Sequence, residues 1–86
     1  MSDLPTNDAE VLDTRGLICP LPVIRTQDRI KRLTDGTLLD VIASDPGALH
    51  DIPAWCRIHG HEVIETRRSE REIHITVRVR RDAHRD

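Results

Sequence analysis

The tightest constraint on the fold of this chain lies near its end. From Glu72 to Arg80, Ile73, Ile75, Val77 and Val79 alternate with His74, Thr76 and Arg78. A period of two places the aliphatic side chains on one face of a strand and the polar ones on the other. A sheet built around this strand has one face to bury and one that meets water, so every other element must cover the same face. With 86 residues there is room for one core and no second domain. The chain has no Phe or Tyr and a single Trp, Trp55, so that core is made from Ile, Val and Leu, with Trp55 expected as its largest member.

The remaining elements follow from spacing and punctuation. Residues 9–14 (AEVLDT) read as a short strand that ends at Arg15 and Gly16. From Pro22 onward, Val23, Thr26, Gln27, Ile30 and Leu33 recur every three or four residues, the mark of an amphipathic helix, and Gly36 suits its left-handed stop. Residues 37–44 (TLLDVIAS) read as a strand central to the sheet. Asp45 and Pro46 form an N-cap and first-turn pair for a second helix carrying Ala48, Leu49, Ile52, Trp55, Cys56 and His59. Pro53 would break a helix begun at Pro46, so an irregular start with Asp51 as a second N-cap, a regular helix from about residue 52 and a stop at Gly60 are expected. Residues 61–68 and 72–80 supply two more strands. The order β-α-β-α-β-β with one wet sheet face predicts an α+β fold, a two-layer sandwich. Residues 1–8 read as a flexible leader, 9–81 as the single domain and 82–86 as a frayed end.

Charge is unevenly placed: residues 1–13 hold four acids and no base, and residues 67–86 hold seven Arg. His74, Arg78 and Arg80 on the open face form a candidate surface for RNA or an acidic partner. With Trp55 alone among Phe, Tyr and Trp, base stacking is not expected as the main activity. No apolar run approaches a membrane span and no signal peptide is evident, so a cytoplasmic location with no membrane contact is expected. In that compartment two distant cysteines are thiols rather than a disulfide.

The chemistry concentrates at "RGLICPLPVI", residues 15–24. Cys19 directly precedes a helix start containing Pro20 and Pro22, whose fixed φ pre-organises the first turn. Helix starts usually carry Asp or Glu, yet the first acid here is Asp28, in the second turn. The free N–H groups and positive helix end therefore face the sulfur, and Arg15 adds a second positive charge if the Gly16 turn folds it back. Such surroundings lower a thiol pKa into the range ~3.5–7.5 and make the thiolate available as a nucleophile. From spacing alone a reactive thiol, a small buried filler and a metal ligand all stay open for Cys19. Cys56, on the apolar stripe of the second helix, reads as a buried core thiol. A disulfide with Cys19 would need Cα atoms within about 7 Å. His59, Gly60 and His61 lack zinc spacing and read as a helix stop, so no metal is assigned.

The stretch "LDTRGLICPLPVIRTQ" resembles the signature of the TusA/SirA family of small sulfur carriers, a Cys-Pro-x-Pro box at the start of the first helix, matched by Cys19, Pro20 and Pro22. "ASDPGALHDIPAWCRIHGHEV" resembles the family's second-helix segment through Asp45, Pro46, Asp51, Ile52, Pro53, Gly60, His61 and Glu62. The resemblance implies a four-stranded mixed sheet with both helices on one face. It also implies that Cys19 accepts sulfur as a persulfide from a donor such as a cysteine desulfurase or rhodanese and passes it to an acceptor protein's cysteine. Family members serve tRNA thiolation, molybdenum-cofactor supply or sulfur oxidation. No cofactor is implied beyond the transient persulfide, and any tRNA link is indirect. Arg15, Gly16, Pro20 and Pro22 are expected to support the thiolate, and Leu21, Pro22 and Val23 to form an apolar docking rim. The alternative is a non-catalytic RNA- or regulator-binding module with a redox-sensing Cys19. A thiol titrating at or above the ordinary value would point that way.

Overall fold

The computed structural model describes residues 10–80; the expected leader at 1–8 and frayed end at 82–86 lie outside the described residues. The elements run β1 (Glu10–Thr14), α1 (Leu21–Ile30), β2 (Leu38–Ala43), α2 (Ala48–Ile58), β3 (Glu62–Arg68) and β4 (Ile73–Arg78), the order expected. The sheet order is β1-β2-β4-β3, with β1 parallel to β2 and the other pairs antiparallel.

The alternating strand sits in the middle of this sheet. Across the β2–β4 ladder Leu39 faces Val77, Val41 faces Ile75 and Ala43 faces Ile73, and all six are buried. On the other side of β2, Leu12 and Thr14 pair with Val41 and Ala43 and point the same way. The buried Thr14 hydroxyl donates to the Ile42 carbonyl at 2.7 Å, so its burial leaves no polar atom unpaired. Ile30 of α1 and Ala48, Ile52 and Cys56 of α2 complete the core from above. In α1 the buried Thr26 hydroxyl donates to the Pro22 carbonyl four residues back, which lets a threonine occupy the core stripe.

Four local expectations are corrected. Gly36 does have positive φ, but α1 ends earlier, at Ile30, followed by short turns through Lys31 and Leu33. Gly36 instead donates to Val79 at 2.7 Å, and Val79 donates back to Thr37 at 2.9 Å, which ties the entry of β2 to the end of β4. Helix α2 runs unbroken through Pro53, so neither the late regular start nor Asp51 as a second cap is found. The Pro53 ring is buried, and apolar burial offsets the backbone bond that proline cannot make. Gly47 rather than Asp45 stands at the α2 cap; Asp45 Oδ1 instead accepts the Gly47 N–H at 3.3 Å and so caps the turn that leads into the helix. Trp55 is only half-buried, because the buried stripe runs through Ala48, Ile52 and Cys56 and leaves Trp55 at its edge. Its ring lies 4.5 Å from His59 and 5.6 Å from His61.

The Gly60 stop is found as expected. His61 donates to Cys56 at 2.8 Å and Gly60 to Arg57 at 3.3 Å, the paired bonds of a Schellman ending, with Gly60 at φ 83°.

Because Ile75 is fully buried at the centre of the ladder, Ile75→Ala is expected to lose about 2–5 kcal/mol of stability. Arg71→Ala in the exposed β3–β4 connection is expected to change it by less than about 0.5 kcal/mol. Urea unfolding of the two variants checks the difference.

Candidate functional site

Parallel pairing of β1 with β2 sets Thr14 beside Ala43, so the loops that leave these two strands lie side by side. The first loop turns at Thr14–Leu17, where Gly16 has φ +86° and donates its N–H to the Ser44 hydroxyl of the second loop at 2.9 Å. A side chain at that φ would be strained, which is the reason for glycine. The chain then passes Ile18 and Cys19 and reaches α1 through a cis Cys19–Pro20 peptide. Pro20 stands at the N-cap without a side-chain cap bond, and Pro22, at the second helical position, is buried. No acid lies in the first turn of α1, as the sequence indicates.

The acids come instead from the second loop and α2. The Cys19 N–H donates to Asp45 Oδ2 at 3.0 Å, and the Cys19 Sγ–H donates to Asp51 Oδ2 at 3.1 Å. Asp45 Oδ1 also accepts the Gly47 N–H at 3.3 Å. A Cβ placed on Gly47 would lie 3.6 Å from Asp45 Oδ2 and 3.7 Å from Asp51 Oδ2, so the two carboxylates converge over one point. The exposed Cys19 thiol is therefore raised above its ordinary value, first by the hydrogen bond to Asp51, then by desolvation and by the charges of Asp51 and Asp45. The lowered thiol expected from the helix start is not what this geometry produces.

Arg15 does not reach the sulfur either. Its Nε and Nη2 bind Asp13 at 2.9 and 2.8 Å, and its Nη1 binds Glu72 at 2.8 Å. This bracing of the β1 end against the start of β4 lowers the Asp13 carboxyl to about 2, chiefly through the hydrogen bonds from Arg15. Arg15 thus supports the loop rather than the thiolate.

The apolar rim is also redrawn. Leu21 is exposed as expected, but Val23 packs on the core and Pro22 is buried. The exposed apolar neighbours in sequence are Ile18 at 68%, Leu21 at 39% and Ile24 at 43%. Helical spacing carried this information, since Leu21 and Ile24 are three apart and fall opposite the buried Pro22–Thr26–Ile30 row. Asp45 and Asp51 were legible as helix-start residues and as part of the second-helix resemblance; nothing local links them to a cysteine 26 or 32 positions earlier.

The other candidates are placed apart from this chemistry. Cys56 is fully buried and desolvation pushes its thiol up to about 12. His74 lies between Asp40 at 3.5 Å and Glu72 at 3.1 Å, while Arg78 and Arg80 meet Glu62 at 3.4 and 3.2 Å. The open face is thus a charge-balanced network, where phosphate would have to displace carboxylates. Among the described residues no group of three or more His, Cys, Asp or Glu is placed to hold a metal ion, and no helix is long and apolar enough to cross a membrane.

Asp51→Asn removes the negative charge on the thiol. The thiolate is then favoured, so the midpoint of the pH profile for iodoacetamide alkylation of Cys19 is expected to fall and the rate at neutral pH to rise. A midpoint unchanged or raised in Asp51→Asn contradicts the role given to this hydrogen bond.

Comparison with known proteins agrees with this architecture. The family model described as Sulfurtransferase TusA matches residues 10–79. The chain is 47% identical over 60 residues to the sulfur carrier protein TusA of Pseudomonas putida, covering 70% of this chain and 74% of that one. It is 34% identical over 67 residues to the sulfur carrier protein TusA of Allochromatium vinosum, covering 78% and 88%. A crystal structure of a SirA-like protein from Desulfitobacterium hafniense superposes with a TM-score of 0.72 at 21% identity, over 81% of this chain and 96% of that one, and shows the same fold. With residues 10–79 matched and its two βα turns meeting at Cys19, the chain belongs to the TusA family of sulfur carriers.

Proposed function

We propose that Cys19 is the residue on which this sulfur carrier holds its cargo, as a persulfide. The observation that carries the reading is the contrast between two free thiols. Cys19 is exposed in the Cys-Pro-Leu-Pro box at the head of α1, whereas Cys56 is sealed in the core. Transfer needs a sulfur that another protein can reach, and only Cys19 among the described residues meets that condition.

The chemistry is thiol exchange. Cys19, as its thiolate, attacks the outer sulfur of a donor persulfide; the donor S–S bond breaks and the donor thiolate leaves with the electron pair. Cys19 then carries the sulfane sulfur until an acceptor cysteine attacks it and Cys19 leaves as thiolate. Neither step changes the total number of disulfide-level sulfur bonds, so no external oxidant or reductant is needed. A cysteine desulfurase or rhodanese fits as donor and a sulfur-relay protein as acceptor. Such a relay, in the cytoplasm, would feed tRNA thiolation, molybdenum-cofactor supply or sulfur oxidation.

The raised thiol favours a second reading, in which the domain binds RNA or a regulator and Cys19 only senses redox state. The carboxylates beside His74, Arg78 and Arg80 weigh against it, as does the family to which the chain belongs. A raised thiol also suits a carrier that stays unreactive between partners and gains its thiolate when docking changes the surroundings of Asp45 and Asp51.

Incubation with a cysteine desulfurase and cysteine is expected to add one sulfur atom to the protein, seen by intact mass and removed by reductant. Cys19→Ser is expected to abolish the gain and Cys56→Ser to keep it. Equal loading of wild type and Cys19→Ser defeats the proposal, and loss only in Cys56→Ser moves the cargo to that residue.

A further inference from the structure

The acids around Cys19 differ from six other carboxylates of the surface, and from Asp28 and Glu70, which like them form no ion pair among the described residues, in converging on one side chain. Asp13, Glu10, Asp40, Glu62, Glu65 and Glu72 each face an Arg or His within 4 Å. Asp45 and Asp51 form no ion pair among the described residues, and both are half-exposed. Their oxygens instead bracket Cys19, one on its N–H and one on its sulfur, and they are the charges that act on that sulfur. Arg15, the nearest cation in sequence, is committed to Asp13 and Glu72. The exposed Cys19 sulfur thus sits in a negative mouth, with Ile18, Leu21 and Ile24 as its exposed apolar neighbours in sequence.

Resting on the reading of Cys19 as the carrier thiol, we infer that Asp45 and Asp51 form a charge filter that bars small anionic sulfur donors, such as inorganic polysulfide, from Cys19 and favours protein donors that bring a cation to the mouth. Loading from polysulfide would be chemically simple: the Cys19 thiolate attacks a chain sulfur, one S–S bond breaks and the shortened polysulfide leaves with the electron pair. Its approach, however, brings a negative charge towards two others. Two unit charges a few ångströms away, acting through a mostly aqueous path, change the local concentration of a monovalent ion by about tenfold, in opposite senses for anion and cation. The apolar rim and the negative mouth together fit a protein surface that carries Lys or Arg beside an apolar patch. Docking of such a surface neutralises Asp45 and Asp51 and so removes the brake on the thiolate at the moment of transfer.

The filter is separable from thiol acidity, because two reagents meeting the same thiolate share its population. Methanethiosulfonates serve as probes: the thiolate attacks the sulfenyl sulfur, a disulfide forms and methanesulfinate leaves. Rates are measured with the trimethylammonium-ethyl (cationic), methyl (neutral) and sulfonatoethyl (anionic) reagents, with Cys19→Ser as blank and a peptide of residues 15–24 as reference. The cation-to-anion rate ratio of the wild type is expected to exceed that of the peptide at least tenfold at low ionic strength and to shrink in high salt. Asp45→Asn/Asp51→Asn is expected to bring the ratio to within about threefold of the peptide and to speed loading from polysulfide. The single variants should each recover part of the change, and the carboxamide introduced by Asp45→Asn keeps an acceptor for the Cys19 N–H, which protects the loop. A wild-type ratio equal to that of the peptide, or one untouched by the double substitution in a protein of unchanged circular dichroism, overturns the filter. Loading of Cys19→Ser by a desulfurase would remove the carrier reading while leaving the reagent ratio intact, so the two failures are distinguishable.

Discussion

Parallel pairing of β1 with β2 is the interaction on which the site depends. Parallel neighbours in a sheet send their following loops out at the same edge, so the turn after Thr14 and the turn after Ala43 emerge together. That adjacency puts the start of α1 and the start of α2 side by side and lets Gly16 bond Ser44 and Cys19 bond Asp45 across them. The pairing itself is held by the core beneath it. Val41 is clamped between Leu12 and Ile75, and Ala43 between Thr14 and Ile73, so slipping either register by one residue would turn aliphatic side chains into water.

The same adjacency explains why the cysteine differs from a cysteine at an isolated helix start. Two helix N-termini offer positive potential, but α2 brings its own compensation in Asp51, and its preceding loop brings Asp45. A hydrogen-bonded carboxylate about 3 Å from the sulfur outweighs the partial charge of a helix end, and the thiol is raised instead of lowered. The absence of an acid in the first turn of α1 remains meaningful. It marks a place where the acid is supplied from another element, and the bonds made there also fix the Cys19 backbone.

Most of the fold was legible because periodicity and punctuation are local. The alternation of Ile73, Ile75, Val77 and Val79 was enough to orient the sheet, and Gly60 to end α2. Legibility ended where tertiary packing overruled a local rule, as at Pro53, whose buried ring holds the helix through the position where its backbone should interrupt it. Trp55 was misplaced for a related reason: size ranks a residue for the core only if its angle on the helix agrees, and Ile52 and Cys56 took the central angle. In the site, Cys19 and its prolines were visible in sequence. The sign of the electrostatic environment was not, since it depends on Asp45 and Asp51, which reach Cys19 only through the β1–β2 pairing.

On the proposed reading of Cys19 as the carrier thiol, this electrostatic arrangement treats its empty and loaded forms differently. In the empty form Sγ carries a proton and Asp51 accepts it in a hydrogen bond, which draws the sulfur against α2. A persulfide has no proton on its inner sulfur, so that bond cannot form, and an ionised outer sulfur meets the Asp51 charge as a repulsion. The loaded side chain is therefore driven away from the carboxylates. On that reading, one carboxylate holds the sulfur when there is nothing to deliver and repels it when there is.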